Sequence, residues 1–424
     1  MSEAPNQALP DRLPLTTIER YMLDDDRPSH PMNGIHDLTL HGPVDADLFQ
    51  QTLETVRRRH PLLCRIIDDA GKTPAWVAAP ADATVTIDRA PAGTPRTHPR
   101  GDWLDIRTEI GLRVWLRDEP PTHDGVPVTR LSLSLHHCVA DALGGISFLV
   151  DWFGELSARL GGPAALAPNP ARLRRRGDCF DQPGLIPGLP KGRIALWGHL
   201  LDGVRRMNKT ATAPLSPSGS GKPVDLKPAP EAPIDEATPV DDVSPPRTAV
   251  FTKQETADLR AAAKARGMTL NDLALRDLYL ALRNHNERVE PHPDEIADGP
   301  TALRINVPVN LRGPADLPAS LRPAGASADL PPGGLSICNK IGMALVTRRA
   351  ELADDPEALL QSVHEEMAWV RQTERGRRFV EAIRILNRFT TNAAKRVFGD
   401  TCYATAVLSN LGDLRRFVPP ALLD

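Results

Sequence analysis

Aromatic side chains make up only 4% of the 424 residues, too few for a surface that stacks nucleic-acid bases. Charge of one sign is also missing. Lys and Arg number 51 against 54 Asp and Glu, a formal net charge of -3, so no basic field invites a polyanion and no nucleic-acid partner is expected. The five cysteines, Cys64, Cys138, Cys179, Cys338 and Cys402, are widely spaced. Without a Cys-x-x-Cys pair, neither a zinc site nor a dithiol motif is indicated. No apolar run approaches the ~20 residues that cross a bilayer. The first seven residues lack the basic start and apolar core of a signal peptide. A soluble, reduced, cytoplasmic protein is the expectation.

What is present is enough apolar material for a substantial core, 41% of the chain, and a length that suggests two or three domains. The most informative stretch runs from Leu131 to Gly145. Leu131, Leu133 and Leu135 alternate with Ser132 and Ser134, the period of a strand. Beyond it, Leu149, Trp152, Phe153, Leu156 and Leu160 fall on one helical stripe. Between strand and helix lie His136, His137, Cys138 and Asp141, then Gly144 and Gly145. Polar residues at such a junction are well placed for chemistry. Successive strand residues point to opposite faces, so His136 and His137 cannot both serve one site. Parity puts His137 on the side of Leu133 and Leu135, and His136 on that of Ser132 and Ser134. It does not say which side borders a cavity.

These residues admit several chemistries. Imidazole titrates near pH 6.5 and suits a general base. A metal site built from His136, His137 and Asp141 is opposed by the divergence of neighbouring strand side chains. A Cys138 nucleophile needs a base that meets it in space. A purely structural histidine pair is the bland alternative, since histidines are often satisfied core residues.

The rest of the chain reads as two lobes around a biased middle. Residues 1–165 form a first lobe. It has a helix near Thr16 or Thr17, a strand over His36–Gly42, and a helix over Asp45–Val56 with Leu48, Gln51/Thr52 and Val56 spaced helically. A stop at Pro61 then enters a strand, and further strands lie at Leu112–Leu116 and Val128–Leu135. Residues 166–246 hold four arginines around Leu173. There follows a stripe of Ile194, Trp197, Leu201 and Val204 among basic residues, and a Pro-rich stretch from Ala211 to Pro246 that reads as a linker. The stripe is read as packing on the protein itself, with peripheral membrane contact as the alternative. Residues 247–424 form a second lobe. It opens with a strand at Thr248–Thr252. The capping box Thr252-x-x-Glu255 starts a helix that stops at Gly267, and a helix from Thr269 buries Leu270, Leu273, Ala274 and Leu278.

His136-His137-x-x-x-Asp141 at a strand-to-helix turn resembles the signature of the chloramphenicol acetyltransferase-like superfamily, which includes condensation domains and wax ester synthase/diacylglycerol acyltransferases. The family pattern continues with Gly, where this chain has Ala142. Four more segments carry the resemblance: the helix start Thr269-Leu-Asn-Asp272, Arg304 to Gly313, Ile337 to Val346, and Tyr403 to Gly412 with Ser409-Asn410. Family members commonly continue beyond that last segment, so the second lobe is expected to be trimmed, truncated or completed by another chain.

The resemblance implies an α/β fold of two lobes, mixed sheets with helices, meeting at a cleft or tunnel. It implies acyl transfer from a thioester, on coenzyme A or on the phosphopantetheine of an acyl or peptidyl carrier protein, with no bound cofactor. The first acceptor is a hydroxyl. Amide formation on a carrier-bound amine, or a non-catalytic relative that binds a carrier or acyl group, are the alternatives. His137 is the implied base, with His136 beside it in a structural role. Asp141 is the structural carboxylate, paired with Arg312 first and Arg304 second. Ser409, Asn410 and Asn306 are the candidates for oxyanion or substrate contacts.

Overall fold

The structure, a computed structural model, describes residues 9–28, 31–71, 73–162, 249–288, 302–317, 334–372, 375–389 and 404–412, with Pro168, Leu173, Arg176, Arg322, Gly325 and Ser327. The chain divides into two compact units. The first comprises Met1–Pro183, Asn310–Ile341 and Leu411–Asp424; the second comprises Gly184–Val309 and Gly342–Asn410. The segment Asn310–Ile341, which falls in the second lobe as read from the sequence, is thus part of the first unit.

In the first unit, β1 (Leu13–Pro14) precedes α1 (Thr17–Asp25). Thr16 and Glu19 cap α1 reciprocally, each side chain taking the other's backbone N–H. Then come β2 (Asn33–His41) and α2 (Ala46–Arg57), whose N-cap Asp45 accepts from Asp47 and Leu48 N–H. Pro61, at the first position of a 3-10 turn where its missing N–H costs nothing, leads through Pro61–Cys64, so the expected strand starts only at Arg65. β3 (Arg65–Asp68), β4 (Ala75–Ala78), β5 (Ile87–Pro91), β6 (Leu112–Glu119), β7 (Val128–His136) and α3 (Ala142–Arg159) follow. One sheet has the order β1-β4-β3; the larger runs β2-β7-β6-β5. In it β7 is antiparallel to both β2 and β6, while β5 is parallel to β6.

Both faces of β7 are covered, since Leu131, Leu133, Leu135, Ser132 and Ser134 are all buried. α3 presents Leu149, Trp152, Phe153 and Leu156 to the core, whereas Leu160 lies just past the helix end and is exposed. α2 meets α3 through Phe49, edge-on to Trp152. Its buried stripe is Phe49, Thr52, Leu53 and Val56.

The second unit contains α4 (Lys253–Ala265), with the Thr252–Glu255 capping box in place, and α5 (Leu270–Arg288). Between them Gly267 has φ 68°, the left-handed stop that favours glycine. β8 (Ala302–Asn310), β9 (Ile341–Arg349), α6 (Pro356–Gln372), α7 (Arg375–Phe389) and β10 (Ala406–Val407) complete it, with sheet order β10-β8-β9.

The buried face of α5 is rotated from the expected stripe. Leu275, Tyr279 and Leu282 pack with Leu303, Ile305, Val346, Val363 and Met367. Leu273 joins Ala263 and Leu360 in a separate cluster. The helix is covered on two sides, which a single stripe does not describe. Ala249–Thr252 form no strand, because they have no pairing partner among the described residues, and Val250 and Phe251 are exposed. The strand expected from Ile337 begins only at Ile341, and the late strand shrinks to two residues.

The stripe of Ile194–Val204, the Pro-rich stretch and most of the arginine cluster lie outside the described residues. Arg176 is described. It is buried, and its Nε donates to Glu19 at 2.7 Å. Among the described residues no helix is long and apolar enough to cross a membrane.

Candidate functional site

β7 ends at His136, and a turn of four residues leads to the N-cap of α3 at Asp141. The two histidines diverge. His136 is fully buried, and its Nδ1 accepts the Cys138 N–H at 3.0 Å. That leaves its proton on Nε2, which lies 3.3 Å from Asp26 Oδ2. Asp26 also accepts from Met32 N–H at 2.9 Å and Trp103 Nε1 at 3.0 Å. Burial pushes the Asp26 carboxyl up, but the His136 ring and these donors outweigh it and hold it below the ordinary carboxylate value. His136 is therefore turned away from His137 and toward Asp26, a close buried contact that falls short of hydrogen-bond geometry.

His137 is partly exposed. Its backbone N–H donates to Met32 O at 2.7 Å, and its ring Nδ1 lies 3.2 Å from the Ala140 carbonyl. A carbonyl only accepts, so Nδ1 carries the proton and Nε2 keeps its lone pair. Nε2 is turned toward Gly34 on β2: a Cβ built on Gly34 would stand 3.7 Å from it. Burial pushes the His137 imidazole down, exceeding the opposing effects of the Ala140 carbonyl and Asp141. The ring is thus neutral at pH 7 with its lone pair presented, the state that takes a proton.

Asp141 is fully occupied. Oδ1 accepts the Gly144 N–H at 2.8 Å, capping α3. Oδ2 accepts from Arg312 Nη1 at 2.8 Å and from Lys340 N–H at 2.7 Å. Arg312 uses its second arm on Cys338 O at 2.9 Å. Arg304 lies in the second unit, where its Nε donates to Thr347 Oγ1 at 3.0 Å. Lys340 Nζ pairs with the buried Asp316 at 2.8 Å.

The segment bearing Cys338 and Lys340 is fixed at every residue. Ile337 N–H donates to His60 Nδ1 at 2.9 Å, and His60 Nε2 faces Asp151 at 3.2 Å. Cys338 O approaches so closely that a Cβ on Gly144 would stand 2.5 Å from it. Asn339 Nδ2 donates to the carbonyls of both His137 and Cys138. This segment therefore holds the backbone of the turn, while Asp141 holds its end.

Ala142, standing where the family pattern has glycine, is the first residue of α3. Helical backbone there needs no glycine. The glycines that matter come later: Gly144 under Cys338, and Gly145, where a Cβ would stand 2.8 Å from the His36 ring. The Cys138 thiol is fully buried and pushed far up by that burial, which deprives it of thiolate character. Among the described residues no three His, Cys, Asp or Glu side chains cluster as metal ligands.

Asn306, Ser409 and Asn410 belong to the second unit. Asn306 sits on β8 opposite Val407 of β10, with its Nδ2 3.3 Å from Met343 Sδ. The Leu408 N–H donates to Asn306 O at 2.9 Å, and the exposed Ser409 and Asn410 follow directly after it.

The sequence reading missed Asp26, Gly34, His60 and Asn339. Asn339 stood in a quoted family segment and His60 beside the Pro61 stop. Asp26, in a run of three aspartates, and Gly34 carried no signal.

No family model matches the chain, and no curated protein matches it in sequence. Solved structures do. The first condensation domain of the calcium-dependent antibiotic synthetase, in complex with a substrate analogue, matches with TM-score 0.57 at 15% identity, over 94% of this chain and 80% of its own. This chain has the condensation-domain fold. The complex of the X-domain and OxyB from teicoplanin biosynthesis contains a second such match, with TM-score 0.52, 19% identity and coverages of 90% and 76%. The EpoB cyclization-docking bidomain from Sorangium cellulosum gives TM-score 0.54 at 13% identity, over 96% of this chain and 73% of its own. Mixed sheets with helices, expected from the His136–Asp141 signature, are thus what the structure and these matches show.

Proposed function

We propose that the protein is an acyltransferase that moves an acyl group from a thioester to a hydroxyl, with His137 as general base. The observation that carries this reading is the tautomer of His137. Nδ1–H is committed to the Ala140 carbonyl, so Nε2 offers a lone pair beside a residue without a side chain. The acceptor O–H gives its proton to Nε2 as oxygen bonds to the thioester carbonyl carbon. The tetrahedral adduct then expels the thiolate by breaking the C–S bond, and the imidazolium returns the proton to sulfur. Asp141 and Asn339 hold the turn that aims the ring, and Asn306, Ser409 and Asn410 remain the candidates for contacts to the oxyanion or substrate.

The donor is a coenzyme A or carrier-protein thioester, used as co-substrate. A second reading replaces the hydroxyl by a carrier-bound amine and makes an amide; it is favoured by the synthetase condensation domain among the structural matches. Binding of a carrier protein or an acyl group without catalysis is the remaining alternative.

The test is release of free thiol from a panel of acyl thioesters, on coenzyme A and on carrier protein, with pooled alcohols and amines. Acceptor-dependent release that His137→Ala abolishes is the expected result, and the product names the acceptor. Equal release by both proteins removes His137 as base. No release from either donor class leaves the binding reading.

A further inference from the structure

Gly34 has no evident structural reason to be glycine. It lies inside β2, opposite Leu135 of β7, and is not among the residues with positive φ. Glycine within a strand weakens it, lacking a side chain to pack and adding chain entropy to the unfolded state. Close packing does not call for it either. A Cβ there would meet the His137 ring at 3.7 Å and 3.9 Å and the Leu135 carbonyl at 3.9 Å, all ordinary contacts. The contrast with Gly144 and Gly145 is sharp, since a Cβ at either would stand within 3 Å of its neighbours. What Gly34 leaves open is the space against His137 Nε2.

That space has defined walls. His36 lies on the same face of β2, two residues along, with its ring against Gly145 of α3. Gly34 and His36 thus share one strand face, and at residue 34 no side chain stands against His137 Nε2.

We infer that residue 34 is the specificity-determining position for the acceptor: the attacking group and the carbon that bears it lie over Gly34 as the proton passes to His137 Nε2. This rests on the acyl-transfer reading for the identity of the substrate, but not for the route of approach. A bare Cα leaves room for a substituent on the attacking carbon, so the site takes secondary alcohols or α-branched amines as well as primary ones. A methyl at residue 34 narrows that room. A β-branched side chain, reaching one carbon–carbon bond further, fills it.

The experiment uses the full chain and the series Gly34→Ala, Gly34→Val and Gly34→Leu, with melting curves as the control for folding. Access is read without any substrate. Diethyl pyrocarbonate acylates an unprotonated imidazole nitrogen, and on His137 only Nε2 is available; labelling is followed by peptide mass, with the exposed His123 as internal reference. Labelling of His137 should slow progressively along the series, by about tenfold or more at Val, the scale set by a misplaced methyl group in a packed site. His123 should label at an unchanged rate. Turnover should show the matching selectivity, with kcat/KM for secondary acceptors falling more than for primary ones.

Equal labelling of His137 in a folded Gly34→Val protein and the wild type overturns the inference. Should Val not fold, Gly34→Ala carries the same comparison, because its Cβ fits at 3.7 Å. Protection of His137 in a protein that turns over no thioester upholds the approach over Gly34 and removes the acyl-transfer reading instead.

Discussion

Arg312 Nη1 donates to Asp141 Oδ2 at 2.8 Å, with the two side chains only 2% and 4% exposed. The residues are 171 apart in sequence, yet both belong to the same compact unit. The carboxylate also caps α3 and takes the Lys340 N–H, so its loss strands three donors at once. Asp141→Ala should lower stability by about 3–5 kcal/mol, the range for breaking a buried pair, and denaturant melts of the purified variant measure it. Arg312→Ala should cost a comparable amount, and the double variant much less than the sum. A melt of Asp141→Ala superimposable on the wild type would show that the pair does not hold the turn.

Gly144 offers a steric test of the same anchorage. A Cβ there would stand 2.5 Å from the Cys338 carbonyl oxygen, and backbone cannot rotate away as a long side chain can. Gly144→Ala should therefore destabilise by about 1–3 kcal/mol, the usual cost of overpacking, although alanine is the better helix former. Gly161, with φ 87° and nothing near its Cβ direction, is the contrasting position, where strain is conformational. A melting temperature for Gly144→Ala at or above the wild type's would mean that the 334–340 segment does not press on α3.

What the sequence made legible was local. The Thr252–Glu255 box, the Leu–Ser alternation of β7 and the Gly267 stop depend on residues a few positions apart, and each stands in the structure. Asp141–Arg312 was reached through a family pattern, not through any property of the two residues. Asp26, His60 and Gly34 act through partners that no spacing reveals: Asp26 and His136 are 110 positions apart, and His60 and Ile337 are 277 apart. The stripe of α5 was misread for a related reason. Periodicity marks one apolar face, while this helix is covered on two, with Leu273 in one cluster and Tyr279 in another.

Acid should expose two buried carboxylates. Burial raises Asp26 and Asp272, yet His136 with the Met32 and Trp103 donors in one case, and His364 with Thr269 in the other, bring the net shift below the ordinary value. A carboxyl depressed in the folded state contributes stability that is full above its unfolded pKa of ~3.9 and is lost as pH falls through the folded value. Stability should thus be level near neutrality and drop below about pH 4, by up to ~1.4 kcal/mol per pH unit for each group. Asp26→Asn and Asp272→Asn should each be less stable at pH 7 and show a shallower acid limb. Urea melts across pH 3–7 decide this, and an acid limb as steep in both variants as in the wild type counts against it.

His137 should reveal itself in the pH dependence of turnover. Burial lowers its imidazole below the ordinary ~6.5, and a base must be unprotonated to act. The acceptor-dependent kcat/KM, which reports the free enzyme, should therefore be flat through neutrality and fall in acid with an apparent pKa under ~6.5. Replacement by Gln, which cannot take the proton, should cost about 10²–10⁴ in rate with little change in melting. The nearby Asp141 charge opposes the depression, so removing it should lower the acid limb further. Asp141→Asn, assayed where it remains folded, should thus keep its residual activity to more acid pH than the wild type does. A limb that moves up, or does not move, would mean that the group titrating in the profile is not His137.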